Sequence, residues 1–213
     1  MIEYVLCDVE GTTTDIRFVH DKLFPFALAN LERFYQRNHT ELRRSAKQLG
    51  VSADQVVFQL KKFIEQDIKD QELKRIQGLI WQQGYASGEL LGHVYPDVLP
   101  AFKRWKERGI RIGIYSSGSV WAQKLLFGHS VEGDLCRYLA DHFDLAVGYK
   151  YEATSYQLIC KRLFHQPREI LFLSDVEIEL DCAREAGMQT IRLFRDMIEE
   201  TSHASEMSFE GIL

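Results

Sequence analysis

Beyond residue 97 the chain alternates short apolar segments with amphipathic ones, and this rhythm restricts its fold more than any other feature. Apolar runs bounded by turn residues predict strands, and apolar residues at helical spacing that end near a glycine predict helices. Strands that alternate with helices build a mostly parallel sheet with helices on both faces. The sequence therefore predicts a Rossmann-like α/β core, with strands at residues 2–7, 110–115, 144–147, 170–173 and 190–193.

A long segment between the first strand and this alternation has a helical pattern throughout. Pro25 suits a first helical turn, and apolar residues follow it at helical spacing. Residues 55–85 carry a second apolar stripe, and their charges of both signs indicate a solvated face. The sequence predicts an all-helical cap at residues 16–95, inserted into a core formed by residues 1–15 and 96–213. The tail after Thr201 gives no clear pattern.

Composition argues against several classes of protein. A chain of 213 residues with a net charge of −5 lacks the basic balance typical of a nucleic-acid binder. Its apolar runs are too short to cross a bilayer, and its first residues do not have the pattern of a signal peptide. The four cysteines show no zinc spacing. We therefore expect a protein of the reducing cytoplasm, with no nucleic-acid and no membrane partner.

The first strand ends in an acidic turn. Asp8 follows the apolar run, and Gly11 permits a sharp exit from the strand. Glu10 lies two residues beyond Asp8, on the same side of an extended chain. Two acids beside a Gly-Thr loop suit a hard cation held against a phosphate, with one acid able to attack phosphorus.

Other predicted strands also end near polar residues, and the carboxyl ends of parallel strands meet at one edge of a sheet. The set combines a carboxylate nucleophile, acids for Mg²⁺, hydroxyls for phosphate oxygens and a lysine that offsets developing charge. Its members are Asp8, Glu10, Ser116, Ser117, Lys150 and Asp175. Each alone has a plainer interpretation, such as a turn acid, a helix cap or a surface lysine, but the combination favours phosphoryl transfer.

Some neighbouring residues have two interpretations. Glu179 and Asp181 could support a metal from outside its direct ligands, although acids are ordinary at the start of a helix. Trp81 and Tyr85 either pack in the helical segment or line a substrate pocket, with neither favoured. Ser119 is interpreted as a helix cap.

The order of these motifs resembles the haloacid dehalogenase-like superfamily of phosphatases. That superfamily has a first-strand Asp-x-Asp-Gly-Thr motif, a strand-ending Ser or Thr, a Lys and a final acidic motif. This chain has, in that order, Asp8-Val9-Glu10-Gly11-Thr12, Ser116-Ser117, Lys150 and Asp175. Glu10 replaces the second aspartate, and Asp-x-Glu-Gly-Thr-Thr-Thr resembles the enolase-phosphatase branch of methionine salvage. Further similar stretches lie at residues 76–85, 94–98, 115–120, 123–128, 155–156, 173–176 and 179–181.

The resemblance implies an activity and a set of site roles. The family enolises 2,3-diketo-5-methylthiopentyl-1-phosphate and then removes the phosphate through an aspartyl-phosphate, which gives the acireductone 1,2-dihydroxy-3-keto-5-methylthiopentene. Carried over by position, Asp8, Glu10 and Asp175 would bind one Mg²⁺ per subunit. Ser116, Ser117 and Lys150 would bind the substrate, and Asp8, Glu10 and Lys150 would be catalytic, with Asp8 as nucleophile. The group that takes the proton during enolisation stays open. The resemblance also implies a monomer.

Three other functions stay open at this point. The first is a phosphatase for another small phosphate ester that shares the core and the helical segment. The second is a phosphoacceptor signalling domain, which also uses an Asp, a Ser or Thr and a Lys at strand ends but lacks an inserted lobe. The third is a catalytically dead scaffold, although no chemical element of the site is missing.

Overall fold

The computed structural model describes residues 1–66, 68 and 70–213. It divides into two compact units, one formed by residues 1–16 with 91–213 and the other by residues 17–90. No helix in the described part of the chain is both long enough and apolar enough to cross a bilayer.

The first unit contains a sheet of six strands in the order β3-β2-β1-β4-β5-β6, and every neighbouring pair in it is parallel. The strands are β1 (Tyr4–Cys7), β2 (Arg111–Tyr115), β3 (Asp141–Phe143), β4 (Ile170–Ser174), β5 (Gln189–Leu193) and β6 (Ala204–Glu206). After β3 the chain returns to the other side of β1, so β1 lies at the switch point of the topology, where open α/β sheets bind ligands.

The α-helices in the described residues follow the chain from the inserted segment into the core. They are α1 (Ile16–Phe18), α2 (Phe24–Arg37), α3 (His39–Leu49), α4 (Val56–Glu65), α5 (Gln71–Ser87), α6 (Val98–Glu107), α7 (Val120–Gly128), α8 (Ala153–Leu163) and α9 (Glu177–Glu185). A five-residue π-helical turn joins α1 to α2. The alternation of strands and helices after residue 97, and the parallel sheet that it predicts, are confirmed.

Both faces of the sheet are covered, as predicted. Tyr4 and Leu6 of β1 pack in one apolar cluster with residues of α8 and α9. The alternate residues Val5 and Cys7 are equally buried and point to the opposite face, because successive side chains of a strand alternate. On that face α6 packs near β2, and its Trp105 donates a hydrogen bond to the carbonyl of Ile212 in the chain's last turn.

One detail of the sequence prediction is wrong, and the structure adds detail at two others. The third strand is Asp141–Phe143, whereas residues 144–147 form a turn in which the Asp144 carboxylate accepts hydrogen bonds from the amides of Ala146 and Val120. The helical stretch at residues 55–85 contains α4 and α5, and Asp70 starts α5 by capping the amides of Glu72 and Leu73. Residues 67 and 69 of this stretch lie outside the described residues. The tail that gave no pattern supplies β6.

The second unit has its own apolar core between α2, α4 and α5, which includes Leu31, Leu60 and Ile76. Trp81 packs against this core, and its indole N–H donates to the carbonyl of Leu23 at 2.8 Å. Tyr85 is buried. The structure thus gives both aromatic residues a packing environment within this unit.

Candidate active site

The carboxyl ends of β1, β2 and β4 bring polar groups together at the switch point. Asp8 follows β1 directly, and its amide continues the ladder to β4 by donating to the carbonyl of Leu173 at 2.9 Å. Ser116 follows β2 and Asp175 follows β4. Asp8 is 2% exposed, so its carboxylate is held in a largely water-free position.

The loop after β1 is tightly wound and fixes the direction of its acids. The amides of Thr12, Thr13 and Thr14 all point at the carbonyl of Val9, at 2.9–3.2 Å. Gly11 has a positive φ of 76°, and a β-carbon there would collide with the Asp175 carboxylate. Only glycine therefore permits both the turn and the close approach of Asp175.

Lys150 reaches the same place from the loop that follows β3. Its ammonium group contacts the Asp8 carboxylate directly and lies 2.5 Å from a carboxylate oxygen of Glu179. Two buried tyrosines hold this loop: the hydroxyl of Tyr156 donates to the carbonyl of Lys150 at 2.7 Å, and that of Tyr115 donates to the carbonyl of Gly148 at 2.9 Å. Lys150 is 7% exposed, so its position is set by the interior of the protein.

The Asp8–Lys150–Glu179 cluster is a buried charge network. Burial by itself lowers the pKa of Lys150, but the charges and hydrogen bonds of Asp8 and Glu179 outweigh it and the pKa is raised above its ordinary value. Burial and then the charge of Asp8 raise the pKa of Glu179 to about 7. Ser174 also donates to Glu179, at 2.9 Å. Lys150 is therefore a permanent cation between two acids, of which Glu179 loses its proton near neutral pH.

Glu10 and Asp175 complete a group of buried acids around Asp8. Burial, followed by the charge of Asp8, raises the pKa of Glu10, and the same two causes raise the pKa of Asp175 to about 6. Within the described residues, Oδ1 of Asp175 is buried and has no hydrogen-bond partner. A site of carboxylate oxygens with one orphaned buried oxygen fits a hard divalent cation such as Mg²⁺, which prefers oxygen ligands and would remove the repulsion between these acids.

The segment after β2 is a turn held by its own hydrogen bonds. The Ser116 hydroxyl lies 3.3 Å from a carboxylate oxygen of Glu10 and accepts a hydrogen bond from the amide of Gly118 at 3.0 Å. Ser119 caps α7 by accepting from the amide of Ala122, as predicted. The side-chain amide of Gln123 donates to the carbonyls of Gly118 and Phe143, which ties the turn to the end of β3. The turn is therefore rigid before any ligand binds.

Five of the six residues chosen from the sequence lie in this cluster through direct contacts or a shared loop, namely Asp8, Glu10, Ser116, Lys150 and Asp175. Ser117 differs, because its side chain is exposed and no hydrogen bond joins it to the other five in the described structure. Of the two acids with open interpretations, Glu179 lies in the network. Asp181 instead pairs with Arg184 and lies beside His203.

Sequence reasoning missed Arg195. Its guanidinium group donates to the carbonyl of Thr12, pairs with Asp97 at 2.7 Å and stacks 4.1 Å from the centre of the Tyr95 ring. Asp97 also accepts the amide of Phe209 at 2.6 Å. Arg195 therefore joins the loop after β1 to the chain's last residues. It lies two residues beyond β5, so its position near a strand end was the available signal.

Comparison with known proteins confirms the resemblance found in the sequence. The haloacid dehalogenase-like hydrolase family matches residues 2–187. The enolase-phosphatase E1 of Cronobacter sakazakii is 46% identical over 222 residues, covering 100% of this chain and 97% of the relative. That of Drosophila erecta is 45% identical over 232 residues, covering 100% and 91%. The crystal structure of the UTR4 protein from Saccharomyces cerevisiae matches with a TM-score of 0.88 and 31% identity, with 100% of both chains covered. The chain belongs to the enolase-phosphatase E1 family of haloacid dehalogenase-like hydrolases.

Proposed function

We propose that the protein converts 2,3-diketo-5-methylthiopentyl-1-phosphate to the acireductone 1,2-dihydroxy-3-keto-5-methylthiopentene and phosphate, in methionine salvage. The observation that carries the proposal is the buried contact between Asp8 and Lys150 at the switch point, with Glu10 and Asp175 beside it. A nucleophilic carboxylate, a fixed cation and two further acids are what transfer of a phosphoryl group to an aspartate requires.

Asp8 is the proposed nucleophile. One of its carboxylate oxygens attacks phosphorus, the bond from phosphorus to the ester oxygen breaks, and phospho-Asp8 forms. Lys150 offsets the negative charge that builds up on the phosphoryl oxygens, because its ammonium group already contacts the attacking carboxylate. The hydroxyl of Ser116 and the exposed Ser117 are proposed to bind the phosphate oxygens.

Glu10 is the proposed proton carrier. It donates a proton to the departing ester oxygen, then takes a proton from the water that hydrolyses phospho-Asp8, which restores both acids. In the metal-free protein, burial and then the charge of Asp8 raise the pKa of Glu10, which favours the protonated form that the first step requires.

A single Mg²⁺ per subunit is proposed to bind Asp8, Glu10 and Asp175. When bound, it would neutralise these acids and polarise the phosphoryl group. The buried, unpartnered Oδ1 of Asp175 supports this donor set within the described structure.

The proposal also covers the helical unit, the cellular compartment, the oligomeric state and the partners. We propose that the helical unit of residues 17–90 acts as a cap that selects the leaving group, since the core can supply only the phosphate chemistry. We further propose a cytoplasmic monomer that binds a small phosphorylated diketone and neither nucleic acid nor membrane.

The test is a substrate panel. The enzyme with Mg²⁺ is offered the diketo phosphate beside sugar phosphates and phosphoglycolate, and both phosphate release and enediol absorbance are recorded. The proposal expects both signals from the diketo phosphate and weak phosphate release from the others. Phosphate release from another ester with no enediol signal from the diketone would make the protein a different small-molecule phosphatase.

A further inference from the structure

A second cluster of metal-ligating side chains lies at the amino edge of the sheet, away from the catalytic groups. Glu3 directly precedes β1, Glu169 directly precedes β4, and His165 follows α8. Asp8 is five residues from Glu3 along the extended β1 segment, a span of about 16 Å. The cluster is thus separate from the acids at the carboxyl edge.

The spacing of these three side chains suits a shared cation better than direct hydrogen bonds. Nδ1 of His165 lies 3.6 Å from a carboxylate oxygen of Glu3 and 3.6 Å from one of Glu169. Hydrogen bonds between such atoms are shorter, at about 2.7–3.2 Å. Ligand atoms on a tetrahedral zinc with bonds of about 2.0–2.2 Å lie about 3.3–3.6 Å apart. All three ligand atoms lie within 4.8 Å of one another, and 57% of the Glu3 side chain is exposed.

The backbone positions of the three residues are fixed before any ion binds. The amide of Glu3 donates to the carbonyl of Glu169 at 2.9 Å, so the sheet itself holds the two acids side by side. A carboxylate oxygen of Glu169 accepts from the amide of Gln166 at 2.8 Å. The ring of His165 is 14% exposed and packs 5.8 Å from the ring of Tyr4. Binding would therefore order only the Glu3 side chain.

The charges in this cluster are unbalanced. Among the residues that the structure describes, His165 is the only ion-pair partner of either Glu3 or Glu169, and no lysine or arginine neutralises them. One imidazole nitrogen with two carboxylates is a ligand set that zinc accepts, with water in the fourth position. Hard Mg²⁺ takes oxygen ligands and has no preference for this nitrogen.

We propose that Glu3, His165 and Glu169 form a second divalent-metal site, selective for Zn²⁺ over Mg²⁺, that cross-links the starts of β1 and β4 to the end of α8. Because the ion binds the folded sheet edge and finds no such arrangement in the unfolded chain, it stabilises the fold. It takes no part in phosphate removal.

Co²⁺ is the probe, since it reports its ligands by visible absorption. The full chain is stripped of metal, placed in excess Mg²⁺ and titrated with Co²⁺ in an Asp175→Asn background, which suppresses binding at the catalytic acids. We expect one saturable absorbance change. Loss of an outer-shell partner already costs about 10–100-fold in metal affinity, so removing a ligand by His165→Ala should weaken binding at least as much. His129→Ala, at an exposed histidine, is the matched control and should leave the titration unchanged.

Stability and activity give independent readouts. In the Asp175→Asn background with excess Mg²⁺, Zn²⁺ at about a hundredfold excess over its dissociation constant should raise the Tm by about 5–10 °C, and the further change His165→Ala should abolish this shift. His165→Ala in the otherwise native enzyme should keep its Mg²⁺-dependent phosphatase rate, even if the diketone proves not to be the substrate. A Co²⁺ titration that His165→Ala does not alter, or the absence of any binding in excess Mg²⁺, would overturn the proposal.

Discussion

Removal of the Lys150 charge should destabilise the protein as well as inactivate it. Its ammonium group lies between Asp8 and Glu179, and the side chains of the three residues are 8%, 3% and 14% exposed. Lys150→Met keeps the length of the side chain and leaves two buried carboxylates without their cation. Breaking a buried ion pair by removing one partner costs about 3–5 kcal/mol. In a protein of this size that corresponds to a fall in Tm of about 6–20 °C.

The loss of stability caused by Lys150→Met should increase as pH rises. The pKa of Glu179 is already raised to about 7 by burial and by the charge of Asp8, and removal of the nearby ammonium group raises it further. A carboxyl group with a raised pKa in the folded state binds its proton more tightly there than in the unfolded chain. Stability is therefore retained below the unfolded pKa and is lost as pH rises through the folded pKa. The destabilisation by Lys150→Met should be larger at pH 8 than at pH 5.5.

Urea unfolding followed by circular dichroism measures this effect, and a double variant separates charge from packing. Lys150→Met/Glu179→Gln removes one of the two orphaned charges and should recover about half of the lost stability, because the cost lies mainly in the unpaired charges. Phosphate release should stay down by about 10²–10³-fold in both variants, as for the loss of one charge-stabilising group. Lys161→Met, at an exposed lysine of α8, is the control and should change stability by about 0.5 kcal/mol or less. A loss below about 1 kcal/mol for Lys150→Met at pH 8 would refute the account of this network.

Three further predictions concern the acids around Asp8. Chelation by EDTA should abolish turnover and Mg²⁺ should restore it, because a phosphate dianion meets three carboxylates there; full activity with metal confirmed absent would contradict this. Asp8→Asn should lower phosphate release by orders of magnitude with an unchanged circular dichroism spectrum, and near-normal activity would mean that another residue attacks phosphorus. In the metal-free enzyme, burial and then the charge of Asp8 raise the pKa of Asp175 to about 6, so its contribution to stability should fall as pH rises from about 4 through 6. Asp175→Asn should flatten that part of the plot of Tm against pH. An unchanged plot would argue against a raised pKa at Asp175.

The sequence predicted the parallel core and the convergence of most of the candidate site residues at one edge of the sheet, because both follow from local rules. Alternating strands and helices imply a parallel sheet, and residues at the carboxyl ends of its strands must meet. Asp8 and Asp175 were found in this way. Lys150 was also found, although the strand assigned before it was wrong. Residues 144–147 are apolar enough to resemble a strand, but the Asp144 carboxylate accepts the amide of Ala146 and so makes a turn, and it also accepts the amide of Val120 at the start of α7.

The features that the sequence did not predict depend on tertiary contacts. Arg195 acquires its role only when β5 brings it to the carbonyl of Thr12 and the carboxylate of Asp97. The short strand β6 has little apolar pattern of its own, and pairing with β5 defines it. The sequence left Glu179 open between indirect support of a metal and an ordinary helix-start acid, and it did not predict the contact with Lys150. That contact depends on the fold.

The most direct test of the proposed chemistry is a search for phospho-Asp8. Glu10→Gln keeps the size of the side chain but removes the proton carrier. An enol leaving group departs with little help, so hydrolysis of the intermediate should suffer more than its formation. The variant is mixed with the diketo phosphate and Mg²⁺, quenched rapidly in acid, and examined for a hydroxylamine-labile acyl phosphate on the peptide that contains Asp8. The account predicts that this intermediate accumulates in Glu10→Gln and is absent in Asp8→Asn. Turnover lost with no phosphorylated peptide at any quench time would contradict it.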